Sequence, residues 1–113
     1  MKTLTVTIAS RDAVLRRARA AFSGKLQGAH LSFPNAELLW KVLGVKRWDL
    51  LKAMTGRGPM TVRGLARAAG RDVKAVHGDI HALLDAGILD RTTDGKIVFP
   101  YDAIHVDFML NAA

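Results

Sequence analysis

The sequence predicts a mainly α-helical fold with a small amount of β structure: a winged helix-turn-helix with a strand at each end of the chain. Three observations predict it. Residues 61–86 hold two segments with apolar residues at spacings of three and four, separated by Gly70-Arg71-Asp72. Residues 89–99 hold two short runs of strand type around Thr93-Asp94-Gly95, a loop with an Asp-Gly turn signal. Both ends, Thr3-Leu4-Thr5-Val6-Thr7-Ile8 and the run from Ile104 to Leu110, alternate apolar with mainly polar residues as half-buried strands do.

Taken in chain order, the first strand leads to Ser10, which can cap a helix through about Phe22 with Val14, Ala18, Ala21 and Phe22 on one face. Arg11, Arg16, Arg17 and Arg19 cover the rest of it. Residues 23–28, Ser-Gly-Lys-Leu-Gln-Gly, are the most linker-like stretch and are too short to separate independent domains. Asn35 can cap a helix over residues 36–43 that Gly44 ends, and residues 45–54 make another with Trp48, Leu51 and Met54 apolar. Trp40 and Trp48 at these spacings read as core or dimer-interface residues ahead of stacking platforms for bases. Gly56-Arg57-Gly58-Pro59 then breaks the chain.

The helix pair follows. Thr61 supplies a capping hydroxyl, Val62, Leu65, Ala66 and Ala69 form the apolar side, and Gly70 ends the helix. Asp72 can cap the second helix, whose apolar side is Val73, Val76, Ile80, Leu83 and Leu84, and Ala86-Gly87 closes it. In such a pair the second helix enters the DNA major groove. The side opposite its apolar stripe carries Lys74, Ala75, Gly78 and Ala82, flanked by His81 and Asp85. Gly78 is the odd residue there, since an exposed glycine within a helix costs about 1 kcal/mol relative to alanine. A bare face would let the backbone approach the base edges. Arg63 and Arg67, one turn apart on the first helix, repel each other by a few tenths of a kcal/mol, which phosphates would relieve. Together with Arg57, Arg71 and Lys74 they make a backbone-contacting set.

The net charge of +7 is unevenly spread. Residues 1–55 carry ten Lys/Arg against three Asp/Glu, residues 56–75 five against one, and residues 76–113 two against six. The basic excess stops within the second helix of the pair, and the wing and tail are acidic. Arg91 and Lys96 are the only wing residues suited to phosphate, while Asp90 and Asp94 would be repelled by it. An acidic end alternatively suits a basic protein partner. Of the 113 residues half are hydrophobic, enough to form one core without staples. The absence of cysteine excludes disulfides and thiol chemistry and fits a reducing cytoplasm. The opening residues carry no signal-peptide pattern, and no apolar run approaches the roughly 20 residues of a membrane span.

Several strings also carry a family resemblance. Lys46-Arg47-Trp48-Asp49-Leu50-Leu51, the helix pair around Leu65-Ala66, the segment from Gly70 to Ile80, Phe99-Pro100-Tyr101-Asp102, and Leu31-Ser32-Phe33 before the helix at Glu37 resemble a prokaryotic winged-helix family related to the MarR and ArsR types of regulator. Its members are described as DNA-binding proteins or antitoxins. The family pattern often carries polar or basic residues where Ala75 and Gly78 stand. The resemblance implies a dimeric, operator-binding regulator, in some relatives paired with a small toxin and repressing its own operon.

Metal chemistry is the rival reading. His77 and His81 sit one helical turn apart, the spacing of a zinc pair, but Asp79 falls on another side of the helix and no third ligand stands nearby; His30 and His105 are distant in sequence. His77 is expected to border the core and His81 to face DNA or solvent. There is no phosphate-cradling glycine loop, nucleophile elbow or tuned carboxylate pair.

The expectation is therefore a non-enzymatic, cytoplasmic, sequence-specific repressor that binds double-stranded operator DNA as a homodimer, without cofactor, metal site or membrane association. Its DNA-binding residues would be Thr61, Arg63, Arg67, Arg71, Lys74, Ala75, Gly78, His81, Arg91 and Lys96. Residues 1–55 would support and dimerise, 56–99 form the winged helix-turn-helix and 100–113 the last strand, folded as one domain. By resemblance it would be the autoregulating antitoxin of a toxin-antitoxin pair. The alternative is a free-standing regulator sensing a small molecule or metal, with a metal-dependent enzyme third.

Overall fold

Thr3–Ile8 alternates, and in the computed structural model it is the middle strand of a sheet: β1 (Thr3–Ile8) lies between β2 (Ala29–Phe33) and β5 (Ala103–Asp107). Residues 2–8 and 29–108 are described. Both pairings are parallel, with Leu4 opposite Ala29 and Ile104, and Val6 opposite Leu31 and Val106. The period of two sends Leu4 and Val6 into the core while Thr3, Thr5 and Thr7 are only half-buried. The two terminal strands thus pair with each other within one chain. A clasp fixes their register: the Lys2 backbone N–H donates to the Asp102 carboxylate at 2.7 Å, and the Asp102 N–H returns a 2.7 Å bond to the Lys2 carbonyl.

Between β2 and β5 run four helices and a hairpin. They are α1 (Ala36–Val42), α2 (Val45–Met54), α3 (Val62–Ala69), α4 (Val73–Asp85), and the antiparallel β3 (Asp90–Arg91) and β4 (Ile97–Val98). The described residues form a mixed α/β structure, with more sheet than the sequence predicts. β2 is the unanticipated strand. Its alternation, Ala29, Leu31 and Phe33 against His30 and Ser32, spans five residues and buries only Phe33. The helix expected over residues 10–22 and the linker at 23–28 lie outside the described residues, as do residues 109 and 110 of the expected last strand.

The caps follow the residue chemistry. The Asn35 side chain accepts from the Leu38 N–H, Thr61 Oγ1 from the Gly64 N–H at 3.0 Å, and Asp72 from the N–H groups of Lys74 and Ala75. Gly70, at φ +65°, ends α3 in the left-handed region, and the Arg71 N–H reaches back to the Ala66 carbonyl. Gly95, at φ +81°, turns the hairpin. Met60 pairs with Ile97 through two backbone bonds, so β4 also holds the residue just before the Thr61 cap.

One cluster of buried side chains joins these parts. Leu4, Val6 and Phe33 of the sheet share it with Leu39, Leu50, Leu51 and Met54 of the first helices, Leu65 and Ala66 of α3, Val76, Ile80 and Leu83 of α4, and Ile97 and Phe99 beyond. One expectation fails and another narrows. Val73 is 42% exposed at the first turn of α4, because the first residue of the helix overhangs the core. Trp40 is 55% exposed and is not a core residue. It lies on the outer side of α1, where its ring meets Phe108 edge-on at 5.9 Å.

Candidate nucleic-acid interface

α4 is held from below. Val76, Ile80 and Leu83 are buried at helical spacing, so the opposite side of a 13-residue helix stands outward on a fixed axis. Lys74, Ala75, Gly78 and His81 all lie on this exposed side. An added Cβ at Gly78 would meet no other atom within 4 Å, so nothing in the fold itself requires glycine at that position. His77 is exposed too, and does not border the core as expected. Its ring lies against that of His81, with centroids 4.3 Å apart and Nε2 atoms 3.2 Å apart, because residues four apart share one helix face.

α3 packs beside α4 and exposes Arg63 and Arg67, while Thr61 and Arg57 are exposed just ahead of it. No ion pair is formed by Arg57, Arg63, Arg67 or Lys74 among the described residues, whereas Arg71 is held differently. Its guanidinium lies 2.9 Å from Asp79, and Arg47 approaches the same carboxylate from α2 with its Nε donating at 3.1 Å. Arg47 also donates to the carbonyls of Lys41 and Val42 at the end of α1. One carboxylate therefore ties α4 to the α3–α4 turn and to the α1–α2 corner. The contact from Arg71 Nη2 to Asp79 Oδ2 is close enough for Coulomb attraction yet makes no hydrogen bond, and among the described residues Arg71 Nη1 and Asp79 Oδ2 have no hydrogen-bond partner. No feature of local spacing marks this triad, because its members are up to 32 residues apart.

In the hairpin Arg91 and Lys96 are exposed, and Lys96 Nζ lies 3.8 Å from Asp94. The Thr92 hydroxyl donates to the Asp94 carboxylate and, with a smaller contribution from Lys96, holds its carboxyl below the usual carboxylate range. Asp90, Asp94, Asp102 and Asp107 are all exposed, so the acidic end of the sequence is acidic surface in the fold. The Met60 bridge sets the root of the hairpin beside the start of α3. The structure thus brings Thr61, Arg63 and Arg67 next to α4, anchors the hairpin at their edge, and draws Arg71 inward.

A second surface feature is apolar. Trp40, Leu43, Gly44, Val45, Trp48 and Val106 line a groove of about 570 Å³ between the α1–α2 corner and β5, in which Val45 is 79% exposed. Among the described residues β5 is an edge strand of its sheet. Among the described residues no helix is long and apolar enough to cross a membrane, and no group of three or more His, Asp or Glu is placed to hold a metal ion. His30 and His105, both opposite Thr5 on the sheet, do not complete the His77–His81 pair.

Compared with known proteins, residues 42–106 match the model of a family described as HVO_A0114, from the end of α1 through β5. No curated protein matches the chain.

Proposed function

The chain belongs to the HVO_A0114 family, and we propose from the geometry of its own residues that it is a cytoplasmic, sequence-specific repressor of double-stranded DNA. In this reading α3, the Gly70-Arg71-Asp72 turn and α4 act as a helix-turn-helix, and the β3–β4 hairpin is the wing of a winged-helix domain related to MarR and ArsR regulators. The observation that carries it is the exposed side of α4, with Lys74, Ala75, Gly78 and His81 on a helix fixed by three buried residues, next to guanidinium groups that no carboxylate among the described residues neutralises. Ala75 and Gly78 let the helix backbone lie close to base edges, Lys74 and His81 reach for them, and Arg57, Arg63 and Arg67 take phosphates. Thr61 opens α3 at the same edge, and Arg91 and Lys96 extend the phosphate track along the hairpin. Arg71 acts indirectly, through Asp79, by fixing the pitch of α4 against α2.

The protein works as a homodimer, since two half-sites multiply specificity. The exposed apolar groove beside β5, an edge strand among the described residues, supports that assembly. The acidic excess of its C-terminal third, with Asp85, Asp90, Asp94, Asp102 and Asp107 exposed against Arg91 and Lys96, suits a basic protein partner, so the repressor is further proposed to be the autoregulating antitoxin of a toxin that itself binds nucleic acid.

Substitution at Gly78 tests the reading. Gly78→Glu places a carboxylate on the side of α4 assigned to the groove, at a position with open space around it. In gel-shift titrations against DNA upstream of the gene, this variant is expected to lose binding while its circular dichroism stays that of the parent. Unchanged affinity would take α4 out of the groove.

A further inference from the structure

We propose that His77 and His81 form a two-point binding site for a divalent first-row transition ion of the zinc, nickel or copper class. Imidazole nitrogen is a preferred ligand of these ions. The two Nε2 atoms already stand 3.2 Å apart. Two nitrogens bound to one zinc ion at about 2.0–2.1 Å and at a tetrahedral angle lie roughly 3.3–3.4 Å from each other, and at a right angle roughly 2.8–3.0 Å. The observed separation falls between these, so an ion can replace the single ring-to-ring hydrogen bond with little more than a turn of each ring.

The scaffold is equally suited. Both histidines project from one face of α4, whose N-terminus is capped by Asp72 and whose underside is buried through Val76, Ile80 and Leu83. The ligand backbone is therefore in place before the ion arrives, and little ordering entropy opposes binding. Both rings are exposed, so an ion has direct access and its remaining positions stay with water. Asp85, exposed one turn beyond His81, adds negative charge along the row, and Lys74, exposed one turn before His77, opposes it. With only nitrogen ligands offered, magnesium and calcium, which take oxygen, are excluded from the site. The site is a property of α4 alone and holds whether or not the chain binds DNA.

The test is calorimetric titration of the full, tag-free chain with zinc, nickel, copper and magnesium chlorides in a non-coordinating buffer, repeated for His81→Gln, His77→Gln and the double variant. One ion per chain is expected, tightest for copper, with no magnesium binding. Each single variant should weaken zinc binding at least about tenfold by removing one of two ligands, and the double variant should abolish it with unchanged circular dichroism. In nitrogen NMR of the parent, zinc should shift the ring Nε2 resonances of both His77 and His81. Absence of saturable zinc binding up to millimolar ion, or zinc binding that survives the double variant, overturns the assignment.

Discussion

At the residue scale the fold rests on a carboxylate that sequence spacing does not mark. Asp79 receives Arg47 at 3.1 Å and Arg71 at 2.9 Å, all three side chains being about three-quarters or more buried. Removing it leaves two guanidinium groups facing each other without a counter-charge, so Asp79→Ala should lower stability by about 2–3 kcal/mol, read from the urea midpoint. A loss under about 0.5 kcal/mol would mean that water already satisfies both arginines. Asp94 gives a pH prediction. Its carboxyl is held low by the Thr92 hydroxyl and then by Lys96, so its contribution is present above the ordinary carboxylate pKa and disappears as pH falls through the lowered folded value. Carbon NMR titration should place Asp94 below the usual carboxylate midpoint, and Thr92→Val should move it back up. The sequence reading found the caps at Asn35, Thr61 and Asp72 because capping is local. It missed the role of Arg47, whose partner is 32 residues away.

At the scale of elements, α1, α3 and α4 were legible nearly to the residue, since each follows a capping side chain and runs to a local stop, whereas α2 has no side-chain cap and is bounded by the glycines before and after it. β2 was not, because five residues with one buried side chain carry little pattern; only the partner strand makes them a strand. Two helical glycines separate sequence propensity from packing. Gly78→Ala should stabilise α4 by about 1 kcal/mol, as an added methyl meets open space. At Gly64 the same methyl would lie 2.9 Å from Thr61 Oγ1, the atom that caps the Gly64 N–H. The propensity gain there is offset by a lost cap of about 1 kcal/mol, so Gly64→Ala should be neutral or destabilising. Thermal unfolding of the two variants separates these outcomes. For α3, Arg63→Ala should weaken upstream and scrambled DNA alike and flatten the salt slope by about one unit. An unchanged slope would remove Arg63 from the phosphates.

For the whole molecule, a sheet that joins the two ends of the chain, a helix pair with one exposed side and an acidic tail together divide the surface by charge. The pairing of the terminal strands was legible in their shared alternation, but its parallel sense and the insertion of β2 were not, as neither leaves a mark on either strand alone. Trp40 was read as core or interface, and its 55% exposure leaves the second role. Trp40→Glu should therefore give a monomer in sedimentation where the parent sediments as a dimer; a parent that is itself monomeric would place the groove outside any self-association. The central claim is that the exposed side of α4 and the arginines of α3 read DNA. Fluorescence anisotropy of the intact chain against the DNA upstream of its own gene and against a scrambled duplex, across a salt series, tests it most directly. Tight, salt-graded binding with clear preference for the upstream duplex is the expected result, and weak binding to both without preference would contradict it.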